Sequence, residues 1–107
     1  MPKKLTRARL RAMIEEATVD AYDRSEQVTG WMTTLENELA LPFETEVLGV
    51  TVKVTAVDVT ADDMLVAVCT RGKAKQRVPV ADLPLPARRP RGAEWIDAYR
   101  AWLNGSW

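Results

Sequence analysis

A chain of 107 residues has room for one domain, and a domain of that size buries roughly two-thirds of the surface its unfolded form exposes. Its apolar content of 47% and charged content of 28% are those of an ordinary soluble globular domain, and no run of about 18 apolar residues is present to cross a bilayer. The absence of histidine removes Ser-His and Cys-His catalysis, Cys/His zinc sites and the usual near-neutral proton acceptor.

The first predicted element is a helix over residues 7–22. Thr6 is a good N-cap, and Leu10, Met13, Ile14, Ala17 and Ala21 form an apolar stripe at helical spacing. The sequence Asp23-Arg24-Ser25-Glu26 then reads as a capping box, a cap acceptor followed three residues later by glutamate. It opens a second helix over 24–40. There Val28, Trp31, Met32, Leu35 and Leu39 share one face, with Thr33, Glu36 and Asn37 opposite. Gly30 costs this helix about 1 kcal/mol relative to alanine, which predicts a close approach by another element or a local bend. Pro42 lacks an amide donor and biases Leu41 away from helical geometry, so the helix ends before it.

Strand signals occupy residues 43–80. Phe43, Thr45 and Val47 alternate with Glu44 and Glu46, and Val50, Val52 and Val54 alternate with Thr51, Lys53 and Thr55. The turn Thr60-Ala61-Asp62-Asp63 leads into Met64–Thr70, apolar almost throughout and predicted to be buried on both faces. A loop at Arg71–Lys75 and a short strand ending at Pro79 complete four strands, predicted to form an antiparallel meander curled into a small SH3-like barrel. Val80–Leu83 resembles the single helical turn that closes such barrels. The Pro- and Arg-rich stretch 83–91 is an extended connector, and Glu94–Asn104 is a last helix bearing Trp95, Tyr99, Trp102 and Leu103 and stopped by Gly105. The fold class is therefore α+β in a single domain spanning 1–107: a helical hairpin, a small antiparallel sheet and a C-terminal helix.

The zero net charge conceals segregation. Residues 1–11 carry five bases, residues 12–70 have a balance of −10, and residues 71–91 have a balance of +6. Blocks of one sign predict a dipolar surface and possible charged protein partners. The basic N-terminus has no apolar core segment, so it is not a secretory signal. The single cysteine, Cys69, lies in an apolar run and reads as a buried structural thiol in a reducing cytoplasm.

Nothing here carries known catalytic chemistry. There is no phosphate-binding glycine loop, no dinucleotide fingerprint, no zinc helix and no EF-hand loop, so an enzyme is not expected. Calcium binding is chemically open to this chain, because the ion takes six to eight oxygen ligands and clustered carboxylates supply both oxygen and charge. Asp20, Asp23 and Glu26 are spaced to converge at the turn between the helices, although a cap and its capping-box partner explain two of them. Asp58, Asp62 and Asp63 cluster at a hairpin, and Glu36, Asn37, Glu38, Glu44 and Glu46 form a third group around Pro42. The basic clusters could meet phosphates, but the loop at 71–77 has no aromatic residue for base stacking, which argues against a nucleic-acid-binding barrel. Trp107, as a terminal residue, is a candidate to cover a groove or touch a partner.

These residues bear a resemblance to a known family. Val19-Asp20-Ala21-Tyr22-Asp23-Arg24-Ser25-Glu26-Gln27, then Gly30-Trp31, Leu35-Glu36, Leu39 and Pro42-Phe43 resemble the pattern of the CcbP-like calcium-binding proteins. The likeness continues through Val78-Pro79-Val80 to the last helix at Trp95–Trp102, and its specific part is the first. The resemblance implies a small acidic cytoplasmic protein with helices packed on an SH3-like sheet and calcium held by surface carboxylates. By position Asp20, Asp23, Glu26 and Glu36 match acidic places in that pattern. Asp62 and Asp63 are a further candidate metal pair that rests on the hairpin cluster and not on the resemblance. Unlike the implied acidic protein, this chain is electrically neutral.

Overall fold

The computed structural model describes residues 5–107, so the readings made on Lys3, Lys4 and the rest of 1–4 lie outside the described residues. The chain runs α1 (Arg7–Ala17), α2 (Arg24–Glu38), β1 (Phe43–Val47), β2 (Val50–Val59), β3 (Leu65–Arg71), β4 (Ala74–Pro79), a 3-10 turn (Val80–Asp82) and α3 (Glu94–Asn104). The strands form one antiparallel sheet in the order β1-β2-β3-β4. α2 packs on β2 and β3, and α1 and α3 pack on α2 and on each other. No helix among the described residues is long and apolar enough to cross a membrane.

Local caps and one contact from the connector explain the helix boundaries. The Thr6 hydroxyl accepts from the Arg9 amide at 3.1 Å and starts α1. α1 is shorter than its predicted 7–22. The Thr18 hydroxyl donates to the Ile14 carbonyl at 2.7 Å, Asp20 adopts a left-handed φ of 57°, and the β-branched Thr18 and Val19 favour helix weakly. Ala21 consequently lies in the joint rather than on the stripe. α2 ends at Glu38 rather than residue 40, because the Ala40 amide turns away to the Arg91 carbonyl at 2.8 Å. At the far end of the chain Gly105, at φ 69°, closes α3 with amide bonds back to the Ala101 and Trp102 carbonyls.

The predicted apolar stripe of α2 is the centre of the core. Val28, Trp31, Leu35 and Leu39 are buried there with Met13, Ile14 and Ala17 of α1, Val52, Val54 and Val57 of β2, and Trp95, Ile96 and Tyr99 of α3. β2 keeps one side facing inward past an irregularity. Its pairing with β3 shifts register between Val54 and Ala56, and that extra residue lets Val57 follow Val52 and Val54 into the core despite its odd number. β3 is a central strand, with Leu65, Val66, Ala67 and Cys69 all buried.

The barrel is a correction. The sheet is open: β1 and β4 are its two edges and do not pair. The connector instead comes to β1, where Pro84–Ala87 lie beside Glu44, Thr45 and Glu46. There the buried Thr45 hydroxyl donates to the Pro84 carbonyl at 2.6 Å. Arg100 of α3 holds the start of the connector, donating to the Val80 and Leu83 carbonyls. Edge strand β4 is exposed from Ala74 to Arg77, and its lysine and arginine discourage further strand pairing.

Tyr99 ties this packing to pH. Burial pushes its phenol above the ordinary value of 10.0, and the Arg24 charge and the Leu65 backbone offset this only in part. In alkali the unfolded chain therefore loses its phenol proton first, so the native state binds more protons and stability falls as pH rises beyond about 10. Urea unfolding at about pH 9 and about pH 11 should show that loss, and Tyr99→Phe should reduce it; an equal loss in the variant would place its origin elsewhere.

Candidate functional site

The joint between α1 and α2 is held by a close backbone approach. A Cβ built on Gly30 would overlap the Ala17 carbonyl oxygen, so only glycine lets α2 lie this near the end of α1. The predicted close contact at Gly30 is thus the one that positions the joint. Asp23 caps α2, its Oδ1 accepting from the Glu26 amide at 2.8 Å. The Glu26 Oε2 reaches back to the Tyr22 amide at 3.2 Å, one residue beyond the usual capping-box donor. Both carboxylates keep a second oxygen.

Beside this joint lies an open groove of about 350 Å³, lined by Asp20, Glu26, Ser25, Thr29, Gly30 and Thr33 among others. Its side-chain donors are carboxylate and hydroxyl oxygens, with no nitrogen or sulfur ligand, which suits a hard cation such as calcium. Two of the expected carboxylates, Asp20 and Glu26, line this groove, and Asp23 stands next to them as the cap. Glu36 is not brought to them: ten residues beyond Glu26, it lies roughly 15 Å further along the helix axis. Among the described residues no three acidic, histidine or cysteine side chains are gathered closely enough to hold a metal ion. The donor type fits calcium, and the gathering of donors is loose. The hydroxyls of Ser25, Thr29 and Thr33 were not singled out from the sequence, though their spacing of four is a readable helical stripe.

The other acidic clusters go elsewhere. Asp62 and Asp63 sit in the β2–β3 turn, with Asp63 at φ 60° and the Thr60 hydroxyl accepting from the Met64 amide at 3.1 Å. They line a separate cleft with Asp82, which the sequence places in the Val80–Leu83 turn and does not group with them. Asp58 is accounted for locally: it accepts from the Val59 amide at 2.8 Å and pairs with Arg77 at 3.7 Å. Glu44 and Glu46 line a third groove of about 420 Å³ beside Pro84 and Leu85. Cys69 is buried and burial raises its thiol pKa, as befits a packed rather than reactive sulfur. Trp107 is 42% exposed.

Comparison with known proteins gives concordant results. A family model for CcbP proteins, described as calcium binding, matches residues 11–103. The chain is similar in structure to the crystal structure of Anabaena CcbP, with a TM-score of 0.74 at 20% identity over 96% of this chain and 95% of that one. It is also similar to a calcium-binding protein in its calcium-binding form, with a TM-score of 0.71 at 20% identity over 92% and 91% of the two chains. Among curated proteins none matches this chain by sequence.

Proposed function

We propose, from the premise that this chain belongs to the CcbP family of calcium-binding proteins, that it binds calcium weakly in the groove at the α1–α2 joint. The observation that carries the placement is the oxygen-only lining that brings Asp20 and Glu26 together. Asp20, Glu26 and the adjacent Asp23 would supply charge, and Ser25, Thr29 or Thr33 a neutral oxygen, with water completing the shell. A site with so few gathered charges belongs at the weak end of calcium affinities, with Kd on the order of 10⁻⁴ to 10⁻³ M. A neutral chain also lacks the long-range negative potential that would concentrate cations.

A weak, exposed carboxylate site on a chain without catalytic signatures fits a calcium buffer rather than an enzyme. A single buried cysteine, with no disulfide to protect from reduction, supports a cytoplasmic setting. Calorimetric titration with calcium, against magnesium, tests the reading. Calcium at millimolar level should release heat and raise the melting temperature. Asp20→Asn with Glu26→Gln should abolish both effects while conserving side-chain shape; asparagine also tolerates the left-handed backbone at 20. No heat and no thermal shift would sink calcium binding. Binding that survives the double variant would leave calcium standing and move its site away from the joint.

A further inference from the structure

The cleft beside the β2–β3 turn, distinct from the joint groove, combines two features that the calcium reading does not use. It is about 260 Å³ in volume and is formed where that turn, the 3-10 turn after β4, the start of α2 and the end of α3 meet. Two of its walls are large apolar side chains left in water, Met64 at 47% exposure and Leu103 at 37%. Three carboxylates, Asp62, Asp63 and Asp82, line it from two different turns, against a single base, Arg24. The Arg24 guanidinium lies 5.4 Å from the Trp102 ring, which holds it at the cleft by cation–π attraction. Among the described residues the ion pairs are Arg77–Asp58 and Arg89–Asp97, neither of which involves the three aspartates, so their charge is available to a partner.

Such a lining selects its occupant by chemistry. The aspartates are not gathered as a metal ion requires; they come from separate turns and suit a cation that carries its own length. The exposed methionine and leucine have no role toward a bare ion, but they gain by covering an apolar side chain at roughly 25 cal/mol per Å² buried. We infer that this cleft docks a basic segment of another protein, one that places lysine or arginine beside a large apolar residue. Its charge complements the net negative lining, and its apolar residue seats against Met64 and Leu103. Electrostatic attraction would speed the encounter and make it salt-sensitive, with the apolar contact slowing release.

The test uses the full chain in calcium-free buffer and Lys-Leu-Lys-Leu-Lys-amide carrying fluorescein on its N-terminal amine, with the Glu-for-Lys analogue labelled in the same way as control. Fluorescence anisotropy should show the lysine peptide binding and the glutamate analogue not binding. Two variants divide the lining: Asp62→Asn with Asp82→Asn, and Met64→Ser with Leu103→Ser. All four residues are exposed, so both proteins should melt near the parent, and each should weaken the peptide about tenfold. Amide chemical shifts should move around residues 62–65, 80–82 and 99–103. Absence of binding at about millimolar protein overturns the proposal, as does undiminished binding by either variant or a shift pattern centred on residues 19–33. Spermine binding as tightly as the peptide would overturn it too, since the apolar walls would then contribute nothing. None of these outcomes bears on calcium at the joint.

Discussion

Trp31→Ala is expected to cost about 3–5 kcal/mol, the range for truncating a fully buried large aromatic side chain. Trp31 has no exposed surface and stands at the point where every layer meets. Its ring lies edge-on to Tyr99 with centroids 5.7 Å apart and is 6.0 Å from Trp102. Both partners are on α3, so the truncation empties the space between the helical hairpin and the last helix. A domain of this size is held by about 5–15 kcal/mol in all, so the variant would lose at least about a fifth of its stability. One detail separates packing from hydrogen bonding. The Trp31 Nε1 is buried with no hydrogen-bond partner among the described residues, and an unpaired buried donor itself costs about 1–3 kcal/mol. Trp31→Phe removes that orphan while keeping most of the ring, so it should lose clearly less than Trp31→Ala. Urea unfolding followed by far-ultraviolet circular dichroism distinguishes them; equal losses in the two variants would mean that the six-membered part of the ring is not what fills the core.

How much of this was legible beforehand follows from which interactions are local. The stripe Val28, Trp31, Leu35, Leu39 was readable because helical spacing alone sorts those side chains onto one face, and burial followed. The caps at Thr6 and Asp23 were readable because they involve neighbours three residues apart. The end of α1 was not, because the weak helix propensity of Thr18 and Val19 does not by itself signal a stop, and the approach of the Ala17 carbonyl to Gly30 comes from thirteen positions away. Openness of the sheet was also hidden. Strand number and spacing are the same for a closed and an open meander; what meets β1 is the connector, whose Pro84 carbonyl accepts from the Thr45 hydroxyl, while its Arg91 carbonyl takes the Ala40 amide just before the strand.

The same division applies to the site. Sequence spacing put Asp20, Asp23 and Glu26 around one turn, and the joint indeed carries Asp20 and Glu26 on its groove. Glu36 matched the family pattern by position, yet the length of a straight helix keeps it from Glu26. Asp82 could not be grouped with its neighbours in the cleft, Asp62 and Asp63, because they lie twenty residues earlier and come to it only through the β3–β4 hairpin. Hairpin pairing creates that neighbourhood, and no local pattern announces it.

Gly30→Ala puts the joint itself to trial, because two effects of opposite sign compete in one methyl group. In an exposed helix interior alanine would gain about 1 kcal/mol over glycine. Here the added Cβ would overlap the carbonyl oxygen of Ala17, and that atom is backbone, fixed by α1 and unable to rotate aside. α1 must therefore shift away from α2, disturbing the buried contacts of Met13, Ile14 and Ala17. Overpacking of this kind typically costs about 1–3 kcal/mol, and displacement of a helix end lies at its upper end, so the net result should be a loss. For a domain of this size the melting temperature should fall by roughly 5–15 °C. Asp20 is carried on the segment that moves and Glu26 on the helix that stays, so the groove between them widens and calcium-dependent stabilisation should vanish as well. Thr29→Ala provides the control: it lines the same groove, is exposed and adds no atom. It should leave the melting temperature without calcium nearly unchanged. If Gly30→Ala proved as stable as the parent, the approach of Ala17 would not be what sets the joint, and the placement of calcium between Asp20 and Glu26 would lose its structural support.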